Sequence, residues 1–262
     1  MYRFLLTPRW LGLHLLVLVL IPAFVFLGRW QYGRFEEKSA AGDLITANLS
    51  SASVPLTTLD RVGAGTVPNT VKYRSVTVDG RYDATHELVV RRRTQNSVLG
   101  FYVITPLVTS QGTVLVNRGW VKAGATADAP PEVPPPPTGD VTVTGRLRPT
   151  ETEDSSGIRN RGGLPPGQVL LINTADIGKT LPYPLFGGFI ELTGQQPQAA
   201  TAPDPVPRPD VSEGGGLNLA YAVQWWLFIG VAVGGWALLM RREAHDLRAA
   251  AEDPAREGAP TP

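Results

Sequence analysis

Two long apolar runs, Trp10 to Leu27 and Leu217 to Met240, lie at opposite ends of this chain and constrain its architecture more than any other feature. A helix needs about 20 residues, at about 1.5 Å of rise each, to cross the hydrocarbon core of a bilayer. Both runs have that length. The first carries one ionisable residue, His14, and one proline, Pro22, and the second carries no charge. Trp10 and Trp30 flank the first run, and Tyr221, Trp225 and Trp226 lie near the start of the second, as expected of amphipathic rings at a membrane interface. Arg3 and Arg9 give the first run the basic preface of a secretory signal. No small-x-small cleavage site follows Phe26, however, and the run is longer than the apolar region of such a signal. It reads as an uncleaved anchor.

Orientation follows from Lys and Arg in the short flanks. Arg3 and Arg9 precede the first span, and Arg241, Arg242 and Arg248 follow the second, so both termini are expected in the cytoplasm. Arg29, Arg34 and Lys38 pull the other way. The expected order is a cytoplasmic N-terminus over 1–9, a transmembrane helix over 10–28, and a juxtamembrane helical or irregular segment over 29–70. A β domain over 71–193, a linker over 194–216, a second transmembrane helix over 217–240 and a disordered cytoplasmic tail over 241–262 complete it.

Between the spans the hydrophobic period changes to two. VKYRSVTVDGRY, HELVVRRR, GFYVITPLVT, GTVLVNRGWV, DVTVTGRLR, QVLLINT and GGFIEL are short β-rich runs separated by Gly, Pro and Asn. No strong helices alternate with them, as a parallel α/β sheet requires. The expected fold is therefore a membrane protein whose two transmembrane helices bracket an extracytoplasmic, mostly antiparallel β domain, either a sandwich or a small barrel, with a short helical N-terminal segment. The proline-rich stretch 123–139 cannot continue a strand ladder and reads as an exposed loop. SEGGG at the end of 194–216 reads as a flexible hinge.

Several chemistries are excluded. A formal charge of +1 over 262 residues provides no basic surface for nucleic acid. The chain has no cysteine, which removes thiolate metal sites and disulfides. The three histidines, His14, His86 and His245, are expected in the membrane, outside and inside, so a shared metal site is not expected. Glu151, Glu153 and Asp154 read as an acidic loop surface. Ser155 and Ser156 have no histidine nearby in sequence, and a hydrolase requires His86 to meet a nucleophile in the fold. The glycines of RNRGGLPPG read as turn formers. No catalytic constellation emerges.

Three segments depart from generic sequence: GRWQYGR at 28–34, VLVNRGWV at 114–121 and NLAYAVQWW at 218–226. With KYRSVTVDGRYDATHELVVRRRT, GFYVITPLVTSQGTVLVNRGWV and VTVTGRLRPTE in that order between two helices, the chain from 27 to about 240 resembles the Surfeit-locus-one family of membrane proteins. The resemblance implies a non-enzymatic assembly factor for cytochrome c oxidase in a bacterial plasma membrane, which helps heme A enter or stay in the catalytic subunit. It implies that subunit, associated respiratory-complex subunits and membrane lipid as partners. Heme A would be at most a transient cofactor. A structural accessory subunit retained in the mature oxidase or supercomplex, and a heme A carrier, are the alternatives.

Positions matching the family are Gly28, Trp30, Gln31 and Arg34, then Asn117, Arg118, Gly119 and Trp120, then Tyr221, Gln224 and Trp225. With Asn218, these form the expected partner-binding set. Arg118 is placed to pair with a heme propionate or an acidic partner loop; the bland reading is an Asn-Arg-Gly turn with Gly119 at positive φ. Tyr221 and Trp225 read as lipid-interface anchors or as cofactor contacts. Asn218 occupies the position where many family members have a histidine proposed as a heme ligand, and asparagine is a poor iron ligand. His14 is the other intramembrane candidate, read either as a ligand or as a residue that snorkels or bonds a neighbouring helix.

Overall fold

The structure, a computed structural model, describes residues 3–124, 131–211 and 215–252. The chain divides into two compact units, Met1–Gly42 with Val211–Pro262, and Asp43–Asp210. In chain order the elements are α1 (Pro8–Ser50), β1 (Val54–Pro55), β2 (Ser75–Tyr82), β3 (Leu88–Gln95), β4 (Val98–Val108), β5 (Thr113–Lys122), β6 (Val141–Arg148), α2 (Glu153–Ser156), β7 (Gln168–Val169), α3 (Thr174–Gly178), β8 (Leu185–Gln196) and α4 (Gly216–Glu252), with short 3-10 turns between some of them.

The first unit is a helix pair. Both helices are long and apolar enough to cross a membrane, and only 6% and 0% of their most apolar windows are buried, unlike a core helix of a soluble protein. The 43 residues of α1 run without a break through Pro22 and past the expected boundary at 28. At about 1.5 Å per residue this is a rod of about 65 Å, twice the hydrocarbon thickness of a bilayer. QYGRFEEKSAAGDLI is rich in helix formers, and an Arg34–Glu37 pair at 2.9 Å supports the extension. The other helix also overruns its expected end. RREAHDLRAAAE continues α4 to Glu252, so the disorder expected from 241 does not begin there; 253–262 lie outside the described residues.

The second unit holds one mixed sheet in the order β1-β2-β6-β8-β5-β4-β3-β7. The end of β4 also pairs with the end of β2, Arg81 opposite Val108 and Tyr82 opposite Leu107. That closes β2, β6, β8, β5 and β4 into a five-stranded ring, which selects the small barrel over the sandwich. Five of the eight pairings are antiparallel, while β1–β2, β3–β7 and β5–β8 are parallel. Val76, Leu107, Val114, Val116, Val143, Leu147 and Ile190 draw on all five ring strands and form the principal core. Each such side chain contributes about 1.5–3 kcal/mol when fully buried. Val90, Ile104, Leu115, Ile172, Ile177 and Phe189 make a second cluster.

Four local expectations need correction. β2 starts at Ser75, because Tyr73 adopts a φ of 67° and turns the chain before the ladder begins. QVLLINT supplies only the two residues of β7; Asn173 then accepts the Asp176 amide at 2.9 Å and caps α3. The segment 194–216 is no free linker. Residues to Gln196 belong to β8, Asp204 exchanges backbone hydrogen bonds with Trp120 at 2.7 and 2.8 Å, and the carbonyls of Val206 and Pro207 accept from Arg146. In the proline-rich stretch, Val133 packs on the cluster of Val89, Phe101, Val103 and Val121, so 131–139 is partly buried; 125–130 lie outside the described residues.

Candidate functional site

Within the helix pair, polar clasps at two levels hold α1 and α4 antiparallel. At one level the Asn218 amide donates to Gln31 Oε1 at 2.8 Å and its Oδ1 accepts from Lys38 Nζ at 3.0 Å. At the other, Trp236 Nε1 donates to His14 Nδ1 at 2.9 Å. Between them Phe24 stacks on Trp225 with centroids 5.6 Å apart, and Ala222 is buried. Gly28 permits this approach: a Cβ there would lie 3.2 Å from Trp226 Nε1 and 3.5 Å from Trp225 Cβ. Trp225 Nε1 is buried and has no hydrogen-bond partner among the described residues. Trp30, Tyr221 and Trp226 remain about half exposed at 54%, 48% and 50%. Arg34 and Gln224 are also exposed.

The clasps bear on metal chemistry. A neutral imidazole that accepts an indole N–H at Nδ1 carries its own proton on Nε2, leaving no lone pair for iron. Both functional ends of Asn218 are occupied within the pair. His14 and Asn218 therefore do not fit axial ligation of a heme.

In the second unit, Asn117, Arg118, Gly119 and Trp120 form a bulge inside β5, not a turn. Gly119 faces Val103 and Asn117 faces Ile104, so Arg118 is the extra residue. Its side chain is turned inward and only 3% of the residue is exposed. Nε donates to Thr105 Oγ1 at 2.9 Å and Nη2 to Glu87 Oε2 at 3.0 Å and to the Pro134 carbonyl at 2.5 Å. Burial lowers the Arg118 pKa from its usual value, against the pull of Glu87. Arg118 is thus a buried strut with Nε and Nη2 engaged, not a surface arm for a propionate or a partner loop. Gly119 does have positive φ, 140°, and a Cβ there would meet the Asp204 carbonyl at 2.4 Å. Trp120 sends Nε1–H to the Arg93 carbonyl at 2.7 Å.

The bulge turns Asn117 into a polar cavity of about 260 Å³ on the outer face of the ring, bounded by 206–209. Arg146 and Arg148 reach this face because they alternate with the core residue Leu147, and Glu191 because it follows the core residue Ile190. A second bulge, with Arg92 at φ 59° and a register shift between Val90 and Arg93, aims Arg93 at the same place. Arg93 Nη2 meets Glu151 Oε2 at 2.5 Å, Arg146 Nε lies 3.2 Å from Glu191 Oε2, and Arg148 Nη1 pairs with Glu191 Oε1. The Arg148 guanidinium lies 4.5 Å over the Tyr73 ring. Glu151, expected on an acidic loop surface, is instead a largely buried ion-pair partner. Only the charges at alternate positions of strands that otherwise read as buried, RLR at 146–148 and IE at 190–191, hinted at this cluster.

A smaller cluster surrounds His86. Its Nδ1 lies 2.6 Å from Asp83 Oδ2 and 3.1 Å from Thr85 Oγ1, and Tyr183 also donates to Asp83. Burial works to raise Asp83, but hydrogen bonds from the Thr85 side chain, Tyr183, His86 and the Thr85 amide outweigh it and hold the carboxyl well below the usual range. Ser155 is committed to the capping box of α2.

Comparison with known proteins matches the model of the SURF1 family over residues 18–230. An uncharacterized SURF1-like protein of Mycobacterium bovis is 33% identical over 230 residues, covering 86% of this chain and 81% of the relative. Uncharacterized SURF1-like proteins of Mycobacterium tuberculosis match to the same extent. Surfeit locus protein 1 of Xenopus tropicalis is 30% identical over 217 residues, covering 68% of this chain and 66% of the relative.

Proposed function

The chain belongs to the SURF1 family, known generally as cytochrome oxidase assembly factors, and we propose from that membership that it assists assembly of a heme-copper cytochrome c oxidase. It does so without catalysing a reaction, by holding the catalytic subunit while heme A is inserted or the loaded subunit is stabilised. The helix pair lies in a bacterial plasma membrane with both termini cytoplasmic, and the barrel is extracytoplasmic. The observation that carries the partner-binding part is the exposure of aromatic rings at and beside the family's own positions. Trp30 and Tyr221, at two of those positions, stay about half exposed, as does Trp226 next to Trp225, whose N–H has no acceptor among the described residues. Aromatic rings of this kind are typical anchors of partner interfaces.

Retention of heme by the pair itself is disfavoured, since Asn218 and His14 are both spent on helix–helix bonds. Here the pair presents the catalytic subunit with a rigid face and leaves the cofactor to that subunit. Deleting the gene and measuring a-type heme absorbance in membranes tests the reading. Loss of assembled oxidase, restored by the intact gene, is expected; undiminished oxidase would sink it. A mild-detergent pull-down with a spectrum of the eluate separates a transient factor from an accessory subunit, because only the latter co-purifies in fixed ratio with active oxidase.

A further inference from the structure

We infer that the polar cavity on the outer face of the barrel binds a single carboxylate carried on a short apolar stem, a site independent of the assembly reading. Two guanidinium groups, Arg93 and Arg148, and two carboxylates, Glu151 and Glu191, line it, and Arg146, whose Nε lies 3.2 Å from Glu191 Oε2, adds a third guanidinium beside them. Lys72 adds a further positive charge, its ammonium 5.3 Å over the Tyr73 ring; burial and then the Arg148 charge lower its pKa, with Glu191 opposing. The excess is cationic and partly desolvated, the setting in which a carboxylate is held tightly.

The unused hydrogen-bonding capacity has the matching sign. Asn117 Nδ2, Arg93 Nε and Arg148 Nε are buried donors with no acceptor among the described residues, and Asn117 is only 1% exposed. Each buried donor left unpaired is destabilising, which an incoming carboxylate oxygen relieves. Glu191 Oε2 is the one acceptor of the set short of a hydrogen bond, and it has Arg146 Nε 3.2 Å away as its ion-pair partner. That carboxylate on the wall opposes a dianion such as phosphate. Tyr73, Tyr102, Phe189 and Pro207 supply flat apolar walls for a stem. At about 260 Å³ the space is smaller than a drug-sized pocket, typically about 300–1,000 Å³. Arg148 keeps 21% of its side chain exposed, so the cavity communicates with solvent.

The test is isothermal titration of the full chain in mild detergent with 3-phenylpropionate, blanked against empty micelles and compared with 3-phenylpropan-1-ol and inorganic phosphate. Saturable 1:1 binding of the carboxylate, at least about tenfold tighter than the alcohol or phosphate, is expected, equivalent to about 1.4 kcal/mol. Asn117→Asp keeps the Oδ1 acceptor that the Gly119 amide uses at 3.2 Å while placing a negative charge in the cavity, so it should abolish binding with circular dichroism unchanged. No saturable binding, equal binding of the alcohol or phosphate, or undiminished affinity in a folded Asn117→Asp chain overturns the assignment. The comparison of three probes on the native chain decides the matter even if the variant does not fold.

Discussion

Gly119 has a φ of 140°, and the carbonyl of Asp204 stands 2.4 Å from where a Cβ would be, so alanine there must both strain the backbone and push 203–204 off β5. The expected loss is about 2–3 kcal/mol, read as a lower urea midpoint by tryptophan fluorescence. Arg118→Ala leaves Glu87 with the Thr105 hydroxyl but without its ion-pair partner, in a site where the Glu87 side chain is only 18% exposed. A loss of about 3 kcal/mol is expected, partly recovered when Glu87→Gln is added, because the cost lies in the orphaned charge. Asp83 governs an acid limb. Its folded pKa is depressed, so its contribution is complete above the unfolded value of about 3.9 and disappears as pH falls through the lower folded value. Thermal midpoints measured from pH 6 down to pH 2 should fall more shallowly for Asp83→Asn than for the native chain. Gly119 at positive φ was legible as an Asn-Arg-Gly signal; the inward turn of Arg118 was not, because it depends on a bulge created by pairing with β4.

Among elements, the helix pair is the most exposed to simple perturbation. Gly28→Leu cannot keep the 3.2 Å approach to Trp226 and should separate α1 from α4 at that level. Asn218→Ala removes the bonds to Gln31 and Lys38, and a loss of about 0.5–1.5 kcal/mol in helix association is expected, as for other polar contacts between membrane helices. Both variants should lower the thermal midpoint in detergent and reduce co-purified oxidase subunit, Gly28→Leu more strongly; wild-type recovery with either would remove the pair from the partner interface. The existence of the helices is plain from the length of their apolar runs, and that of the strands from a period of two. Their lengths are not: α1 continues to Ser50 and α4 to Glu252 because charged helix formers extend a helix as well as apolar residues do.

At the scale of the whole molecule, the absence of native cysteine permits a clean test of topology. Arg161→Cys in the barrel unit should react with a membrane-impermeant maleimide in intact cells, and Arg241→Cys should react only after lysis; the reverse pattern would overturn the orientation. The two apolar ends, the β-rich middle and the family follow from residues close together in the chain, since apolar run length, the strand period of two and short motifs are all local. The closure of five strands into a ring, the docking of 203–209, and the meeting of Arg93 with Glu151, 58 residues away, or of Gln31 with Asn218, 187 residues away, do not. These pairings depend on register, bulges and close approach between distant segments, for which a linear pattern of hydrophobicity and charge carries no coordinate.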